Sequence, residues 1–243
     1  MSSTPPFLSI IIPAHNEEHR LAQTLEDILA FTGSQPYTSE ILVVENASAD
    51  RTLEIAQSYA AQHPSILVLH DDRPGKGLAV KTGMLAAHGD FRFICDADLS
   101  MPAAEIGRFL PPMLTGVDVG IASREAPGAV RYNEPFLRHL TGRVFNTLVR
   151  VIVLHGLQDT QCGFKCFTRQ AAEKLFPLQT MNGWTFDVEI LAIAQKMGLK
   201  IVEVPIPWYY HGDSKVRVVR DSLKMARDLF RIRARVRKHT FSS

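Results

Sequence analysis

Cysteine is scarce in this sequence, and its three cysteines form no paired framework. The odd count of Cys95, Cys162 and Cys166 excludes a fully disulfide-bonded scaffold and predicts free thiols in a reducing cytosol. The segment CGFKC (162–166) has neither the spacing of the thiol redox motif nor the second cysteine pair of a zinc site. We therefore expect these cysteines to be structural.

Long apolar runs are missing as well. The most apolar stretch, LVRVIVL (148–154), contains Arg150 and is much shorter than the ~20 residues that cross a bilayer. The first residues contain no stretch with the length and flanks of a signal peptide. With 46% apolar and 21% charged residues among 243, the composition is that of an ordinary globular protein with one large or two small domains.

Charge is distributed unevenly along the chain. Residues 215–243 contain ten Lys or Arg and two Asp, a net charge of +8, whereas the other 214 residues carry a net charge of −6. The overall +2 therefore describes a mildly acidic body with a basic tail. Such an asymmetry favours a polyanionic partner, either a membrane or a nucleic acid.

Short β-rich runs alternate with segments of helical period. The predicted strands are residues 8–12, 40–45, 66–70, 91–95, 119–123 and 201–206. One predicted helix follows the end of the first strand at Pro13, with Asn16 as its N-cap, and another starts at Ser48 or Asp50. Further helices are predicted at 77–88, 102–110, 135–154, 168–176 and 185–197. Buried strands separated by helices indicate an α/β fold with a largely parallel sheet and right-handed crossovers.

Three polar clusters follow predicted strands: PAHNEE (13–18), ENASAD (45–50) and DADLS (96–100). Ligands of such sheets bind beyond the carboxyl ends of the strands, so we expect the clusters to converge there. Asp96 and Asp98 are separated by one residue, and in an extended segment their side chains point the same way. Adjacent like charges are costly unless a cation lies between them. The pair therefore predicts Mg²⁺ or Mn²⁺ bound together with a diphosphate, against the alternative of a solvated turn.

Seven motifs carry a family resemblance: PAHNEE, VENASADRT, GKGLAVKTGM, CDADLSMP, ASR, DTQCGFKCFTR and GWTFDVEI. In this order they resemble family 2 of the inverting glycosyltransferases, which have the GT-A fold, and within it the dolichyl- and polyprenyl-phosphate glucosyltransferases. The motifs extend over residues 8–215. The resemblance implies a GT-A domain over residues 1–215, followed by a basic amphipathic helix over 216–243.

The resemblance implies donor-binding roles in the first four motifs. The residues are Pro13, His15, Glu17, Asn46, Lys76, Asp96 and Ala97, with Asp96 and Asp98 as metal ligands. Asn46 stands where the family usually has an acid that bonds the nucleotide base, and an amide can still accept or donate there. Lys76, in a predicted mobile loop GKG (75–77), is able to reach a phosphate, and the alternative is that GKG is only a flexible turn. The loop lacks the full P-loop spacing, which disfavours ATP chemistry.

On the acceptor side the resemblance implies roles for Gln161, Lys165, Asp187, Glu189 and Ser214. Of Asp187 and Glu189, one is expected to line the cleft and the other to cap or solvate its helix. The implied catalytic group comprises Asp159, Asp98, Arg124 and Lys215. An additional Asp213 between Gly212 and Ser214 departs from the family pattern.

The predicted reaction is displacement of UDP by an acceptor at the anomeric carbon, with inversion. A lipid monophosphate has a second pKa of about 6 and is mostly ionised at neutral pH, so Asp159 is expected to orient it rather than deprotonate it. A sugar hydroxyl would need a true base. The open alternatives are GDP-mannose or another nucleotide sugar as donor, a soluble hydroxyl as acceptor, and a non-catalytic nucleotide-sugar-binding or membrane-adaptor domain.

A metalloprotease pattern, H-x-x-E-H, also matches residues 15–19. It requires both histidines on one helix, which the predicted start of that helix at Asn16 disfavours.

The basic tail has a helical period over 216–238. Its predicted apolar stripe comprises Val219, Leu223, Ala226 and Phe230, beside a cationic stripe of Arg220, Lys224, Arg227, Arg231 and Arg235, with Asp221 and Asp228 on the far side. This pattern favours a helix on the cytoplasmic face of a membrane, and residues 136–154 form a second amphipathic candidate. The alternatives are a helix packed on the domain or an oligomer contact. Nucleic acid is disfavoured because aromatic residues are sparse among the charges.

Overall fold

The computed structural model describes residues 5–98, 100–210 and 218–241. The strands are β1 Leu8–Ala14, β2 Ser39–Asn46, β3 Ile66–Asp71, β4 Phe91–Cys95, β5 Val119–Ser123, β6 Val130–Tyr132, β7 Phe164–Thr168, β8 Ile201–Pro205 and β9 Pro207–Tyr209. The helices are α1 Leu21–Gly33, α2 Thr52–Gln62, α3 Lys76–Ala86, α4 Phe136–Ile152, α5 Arg169–Leu175, α6 Phe186–Lys196 and α7 Val218–Lys238. Two 3₁₀ helices, Ala103–Phe109 and Phe176–Leu178, complete the elements.

Seven strands form one sheet in the order β3-β2-β1-β4-β7-β5-β8. All neighbours are parallel except β7, which runs antiparallel to both β4 and β5. The predicted mostly parallel sheet flanked by helices is therefore confirmed. Strand β7 was not predicted, because its five residues look like part of the acceptor motif. A separate parallel pair, β6 and β9, lies outside the main sheet.

Helices cover both faces of the sheet, which explains why its strands are continuously apolar. In β1, Ile11 packs with α3, α5 and α6 on one side, whereas Ile10 and Ile12 pack with α1 and α2 on the other. All three isoleucines are fully buried. Alternate residues of a strand point to opposite faces, so a strand covered on both sides needs apolar side chains throughout. Pro13 does not end β1 as predicted, since the strand pairs with β2 as far as Ala14.

The predicted start of the first helix is wrong. Helix α1 begins at Leu21 with Arg20 in the N-cap position, and Asn16 has a left-handed backbone with φ of 54°. Asn16 instead bonds across to the next loop: its backbone N–H donates to Ser48 Oγ (3.0 Å) and its Oδ1 accepts from the Ala49 N–H (2.8 Å). Asn tolerates this conformation better than most residues, so Asn16 stabilises the contact between the two loops instead of capping a helix.

The second predicted cap is correct only in part. Helix α2 has Arg51 in the N-cap position, and Asp50 Oδ1 accepts from the N–H of Thr52, the first helical residue. Asp50 Oδ2 accepts from the Glu18 N–H. Its carboxylate therefore holds the loops after β1 and β2 together as well as supporting the helix.

The C-terminal helix packs on the body, which was one of the open alternatives, and Phe230 of its predicted apolar stripe points away from that contact. Met225, Asp228, Leu229 and Ile232 are buried, whereas Phe230 is exposed. Asp228, predicted on the side away from the apolar stripe, packs against the body and accepts a hydrogen bond from the Thr185 hydroxyl (3.1 Å), which offsets the cost of burying it. The side chains of Val219, Arg220, Asp221 and Leu223, which the same pattern included, lie outside the described residues. Among the described residues, no helix has both the length and the apolar character required to cross a membrane.

Candidate active site

The loops after β1, β2 and β4 meet because these three strands are neighbours in the sheet. His15 Nδ1 donates to the Asn46 carbonyl oxygen (2.6 Å), and Asn16 Nδ2 lies 3.2 Å from His15 Nε2. Pro13 and His15 are half-buried, and Glu17 Oε2 accepts from Arg20 Nε (3.0 Å) and Nη2 (2.7 Å). The predicted convergence of the first two clusters is thus observed. His15 and His19 both precede α1, so the helix that a metalloprotease needs does not contain them.

Glu45, at the end of β2, is a buried acid that sequence reasoning did not single out. Its Oε1 accepts from the Ser48 N–H (2.7 Å) and its Oε2 lies 2.5 Å from His70 Nδ1. The hydrogen bonds to Glu45 and then to Asp72 raise the pKa of His70. Glu45 therefore fixes the turn that presents Asn46 and Ala47, and Ala47 has a left-handed φ of 52°.

Asn46 braces the turn that precedes Lys76. Its Nδ2 donates to the carbonyl oxygens of Gly75 (3.1 Å) and Arg73 (3.3 Å). A Cβ on Gly75 would lie 2.5 Å from the Asn182 carbonyl oxygen, and its φ of 147° suits glycine. A Cβ on Gly77 would lie 2.5 Å from the Met181 carbonyl oxygen. The two glycines therefore let the segment pack closely against residues 181–182.

Lys76 is the first residue of α3 rather than part of a loop, and its ammonium lies on Asp96. Nζ donates to Asp96 Oδ2 (2.8 Å) and lies 2.6 Å from Oδ1. It also lies 5.5 Å from the centroid of the Trp184 ring, within cation–π range. Burial favours the neutral amine, but the carboxylates of Asp96, Asp187 and Asp98 together raise the pKa of Lys76.

Asp96 and Asp98 follow β4 in a turn rather than in an extended segment. Both side chains are partly exposed, whereas Ala97 between them is buried and its carbonyl accepts from the Thr24 hydroxyl (2.7 Å). Ala97 is thus almost completely enclosed, and its carbonyl oxygen is already bonded to Thr24. Asp98 Oδ1 accepts from the Ser100 N–H (3.0 Å). The charges of both carboxylates act on the Lys76 ammonium, so the two acids lie near one group, but the extended geometry predicted for them is wrong.

Gly163 makes room for the Asp96 carboxylate. A Cβ on Gly163 would lie 1.8 Å from Asp96 Oδ2, and the Gly163 carbonyl accepts from the Asp96 N–H (3.2 Å). This close approach depends on the antiparallel pairing of β7 with β4. Its role was missed because the pairing was not predicted.

The carboxylates fit a hard divalent cation. Asp96 Oδ1 is buried and accepts no well-aligned hydrogen bond from the described residues, although the Lys76 ammonium is close. The described chain contains no group of three or more His, Cys, Asp or Glu side chains that could hold a metal. Two carboxylates alone are the donor set of a cation that completes its coordination with substrate phosphates and water.

Arg124 and Asp159 form a bidentate ion pair beside this cluster. Nε donates to Oδ2 (2.6 Å), Nη2 donates to Oδ1 (2.9 Å), and the Arg124 N–H also donates to Oδ2 (3.0 Å). Burial opposes ionisation of Asp159, yet the charge and hydrogen bonds of Arg124 lower the pKa of this carboxyl to about 2. Glu203, which sequence reasoning missed, accepts from the Asp159 N–H (2.9 Å). The Arg124 guanidinium lies 5.4 Å from the centroid of the Trp208 ring.

Lys165 and Asp187 form a second, buried ion pair. Lys165 Nζ lies 2.8 Å from Asp187 Oδ1 and also donates to the Cys162 carbonyl oxygen. Burial raises the pKa of Asp187, against the opposing charges of Lys165 and Lys76. Two ammonium groups and the carboxylates of Asp96 and Asp187 thus alternate in sign at the centre of the site. Gln161 Nε2 donates to the Trp184 carbonyl (3.3 Å).

Glu189 supports the structure away from this cluster. Its carboxylate accepts from the N–H groups of Thr180 and Met181 (both 2.8 Å) and pairs with Arg235 of α7. Of the two acids in α6, Asp187 is therefore the one that reaches the charged cluster. Arg235 was predicted in the cationic stripe facing a membrane, but its guanidinium points inward. Ser214, Lys215 and the additional Asp213 lie outside the described residues.

The mostly parallel sheet, with its paired carboxylates beyond the strand ends, has the architecture of the GT-A class of glycosyltransferases. The Glycosyl transferase family 2 model matches residues 9–176, and the chain belongs to this family. The enzyme class and the family that the motifs indicated are confirmed.

Curated relatives align with nearly the whole chain. A dolichyl-phosphate beta-glucosyltransferase of Trichomonas vaginalis is 36% identical over 95% of this chain and 72% of its own length. A protein of the same name from Dictyostelium discoideum is 34% identical over 94% of this chain and 74% of its own length. The resemblance to dolichyl-phosphate glucosyltransferases is therefore confirmed.

A solved structure shares the fold. Glucosyl-3-phosphoglycerate synthase from Mycobacterium tuberculosis, crystallised with Mn²⁺, UDP-glucose and glycerol 3-phosphate, matches with a TM-score of 0.67 and 21% identity. The match covers 95% of this chain and 80% of that protein. At this identity the likeness supports the fold alone.

Proposed function

We propose that this enzyme transfers glucose from UDP-glucose to a polyprenyl phosphate of the dolichyl type, with inversion at the anomeric carbon. The observation that carries the proposal is the carboxylate pair Asp96 and Asp98 at the end of β4, in a chain that aligns almost throughout with dolichyl-phosphate beta-glucosyltransferases. Donor contacts are assigned to Pro13, His15, Glu17, Asn46 and the backbone of Ala97, since their loops surround the pair.

Asp96 and Asp98 would hold Mg²⁺ or Mn²⁺. Crystallised neighbours of the same fold contain these ions with UDP or UDP-glucose, and the hard oxygen donors of this site suit them. The ion would supply charge neutralisation at the departing diphosphate. Asp98 has one carboxylate oxygen bonded to the Ser100 N–H, which restricts the rotation of its side chain.

The Arg124–Asp159 pair favours a phosphate acceptor over a hydroxyl. With its pKa lowered to about 2, Asp159 is ionised but is a weak proton acceptor at neutral pH, and Arg124 occupies both of its oxygens. An ionised phosphate oxygen needs no base: it forms the bond to the anomeric carbon while the bond to UDP breaks. We assign Arg124, Gln161, Lys165 and Asp187 to the acceptor side, with Asp159 as the group that orients Arg124.

We assign membrane contact chiefly to α4, and place the enzyme on a cytoplasmic membrane face. Helix α4 exposes a row of apolar side chains, called here the α4 apolar stripe: Phe136, Leu140, Val144, Leu148 and Val151. Arg143 and Arg150 are exposed on the same helix. An amphipathic helix with apolar residues beside arginine suits an anionic membrane surface, where a lipid acceptor resides. Helix α7 adds exposed arginines at 227, 231, 233 and 237.

Radiolabelled sugar transfer tests the proposal. UDP-glucose and GDP-mannose, each radiolabelled in the sugar, are incubated with Mg²⁺ and either polyprenyl phosphate or a soluble sugar acceptor, and organic-extractable label is counted. We expect label in the lipid fraction only from UDP-glucose with polyprenyl phosphate. Asp98→Ala should abolish transfer and leave the fold intact, whereas the exposed Asp27→Ala in α1 should not change it.

Other outcomes reject the proposal in distinct ways. Label transferred from GDP-mannose would reject the donor, and label in a water-soluble glucoside, separated from the unreacted nucleotide sugar by anion exchange, would reject the lipid acceptor. Nucleotide-sugar binding without transfer to either acceptor would identify a non-catalytic binding domain. Full activity of Asp98→Ala would remove the role of the carboxylate pair.

A further inference from the structure

The Lys76 ammonium group contacts the Asp96 carboxylate, which is one of the two proposed metal ligands. Lys76 Nζ is 2.8 Å from Asp96 Oδ2 and 2.6 Å from Oδ1, so it contacts both oxygens. The side chains are only 16% and 25% exposed, so water screens the pair weakly. A divalent cation that binds Asp96 through the same oxygens would be repelled by the ammonium at this distance.

The main chain at Lys76 is held in place, but the end of its side chain can move. Asn46 braces the carbonyls of Arg73 and Gly75, and Gly75 and Gly77 pack against residues 181–182, which fixes the start of α3. Beyond Cα, lysine has a flexible four-carbon stem that ends in a point charge. Its contacts with Asp96 and the Trp184 ring are non-covalent, so the ammonium can transfer to another anion within its reach.

We propose that Lys76 occupies Asp96 as a resident counter-ion until the donor diphosphate accepts its ammonium, so that metal and nucleotide bind with positive coupling. The inference rests on the proposed function, since it assigns the diphosphate and the divalent cation to this site. In the resting enzyme Lys76 weakens the binding of a metal ion alone. When the diphosphate binds, Lys76 moves onto it, and Asp96 becomes free for the cation.

Thermodynamic reciprocity gives this mechanism a specific signature. If UDP strengthens Mn²⁺ binding by some factor, Mn²⁺ strengthens UDP binding by the same factor. Removing the ammonium should strengthen the binding of Mn²⁺ alone, because a competitor is lost. The same change should weaken UDP binding in the presence of Mn²⁺, because a diphosphate contact is lost. A lysine with a purely structural role would not move the two affinities in opposite directions.

Direct binding measurements test the proposal without turnover. Mn²⁺ is titrated into the enzyme by electron paramagnetic resonance with and without UDP, and UDP is titrated calorimetrically with and without Mn²⁺. For Lys76→Met we expect about tenfold tighter binding of Mn²⁺ alone, weaker binding of UDP with Mn²⁺, and a coupling factor about tenfold smaller than in the wild type.

Three further variants serve as controls. Lys76→Arg keeps the cation, so its affinity for Mn²⁺ alone should remain within about twofold of the wild type, since the charge that competes is retained. Lys196→Met removes the same charge from an exposed position in α6 and should leave both affinities unchanged. Lys76→Gln is neutral but keeps a hydrogen-bond donor for Asp96, so it carries the test if Lys76→Met does not fold. Folding is checked by circular dichroism and thermal unfolding.

The outcomes separate this inference from the proposed function. Unchanged or weaker binding of Mn²⁺ alone by folded Lys76→Met, or by Lys76→Gln in its place, would overturn the inference. An equal gain in Lys76→Arg and Lys76→Met would overturn it as well. In both cases the wild type would still bind UDP and Mn²⁺, and the proposed function would stand. A wild type that binds neither UDP nor Mn²⁺ would overturn the proposed function and the inference with it.

Discussion

The Arg124 guanidinium binds both carboxylate oxygens of Asp159, a residue with no exposed surface. The planar donor groups of arginine match a carboxylate in this bidentate arrangement, which fixes both side chains. Arg124 directly follows β5, whereas Asp159 lies 35 residues later in a loop. The pair therefore joins the predicted arginine motif to the acceptor motif, and it sets the chemistry that Asp159 can perform.

The first prediction concerns the pH dependence of stability. The folded-state pKa of Asp159 is about 2, below the unfolded value of about 3.9. The pair is therefore fully stabilising above pH 4, and its contribution is lost as the pH falls through 2. Asp159→Asn should lower the free energy of unfolding by about 3 kcal/mol at pH 7, because it leaves the Arg124 charge without its partner. The difference from the wild type should shrink by about 2 kcal/mol by pH 2.

Urea unfolding at pH 7, 4 and 2 measures this difference. Asp27→Asn, at an exposed position of α1, is the matched control and should change stability by less than about 0.5 kcal/mol at each pH. A destabilisation by Asp159→Asn that stays constant between pH 7 and pH 2 would contradict the lowered pKa.

The second prediction concerns Asn46. In Asn46→Asp a carboxylate would face the carbonyl oxygens of Arg73 and Gly75, where the amide now donates two hydrogen bonds. We expect a loss of about 2 kcal/mol in the free energy of unfolding, since a buried amide that donates two hydrogen bonds is replaced by a charge that faces two acceptors. The kcat/KM for the donor should also fall. Denaturant unfolding and initial rates measure the two effects, with Asn133→Asp at an exposed loop position as control. If Asn46→Asp is as stable as the wild type, the hydrogen bonds from Asn46 to Arg73 and Gly75 do not contribute to stability.

The third prediction concerns the space beside Asp96. In Gly163→Ala the new methyl group would lie 1.8 Å from Asp96 Oδ2, so the carboxylate or β7 must shift. We expect the affinity for UDP with Mn²⁺ to fall at least tenfold, an effect of about 1.4 kcal/mol. Calorimetric titration measures it. Gly107→Ala is the control, because no atom beyond its chain neighbours and its own helix backbone lies within 4 Å of the position that its new methyl group would occupy. Equal affinities for the two variants would contradict the packing described here.

The fourth prediction concerns the α4 apolar stripe. Val144→Glu places a charge on an exposed apolar position, so it should weaken sedimentation with vesicles that contain phosphatidylserine while leaving stability nearly unchanged. Leu85→Glu makes the same kind of change at an exposed leucine of α3 and should sediment like the wild type. If both variants sediment like the wild type, α4 does not contact the membrane.

The central strands and most helices could be predicted because their determinants are local. Runs such as LSIII and EILVVE reveal strands covered on both faces, and each predicted helix was found within a few residues. Strand β7 was missed because its pairing with β4 and β5 is set by residues far away in sequence. Asn16 was misplaced for a related reason, since its partners Ser48 and Ala49 belong to the next loop.

The residues of the site could be predicted from the sequence, but the side-chain contacts between them could not. Motif order identified Asp96, Arg124 and Asp159, yet it did not indicate that Lys76 would contact Asp96 or that Arg124 would hold Asp159. Glu189 and Arg235 illustrate the limit most clearly. Each belongs to a pattern that suggests exposure to a ligand or a membrane, and each is instead satisfied by the other. Such pairings depend on tertiary packing, which periodicity does not encode.

The contact between Glu189 and Arg235 has a mechanical consequence. Glu189 also anchors residues 180 and 181, and the neighbouring Asn182 carbonyl accepts from the N–H of Leu78, two residues after Lys76. A protein shortened to end before α7 would leave the Glu189 carboxylate without the Arg235 cation, and the segment 180–182 that contacts the start of α3 would lose part of its support. Helix α7 of the basic tail is thus a structural part of the folded domain, whether or not its exposed side contacts a membrane.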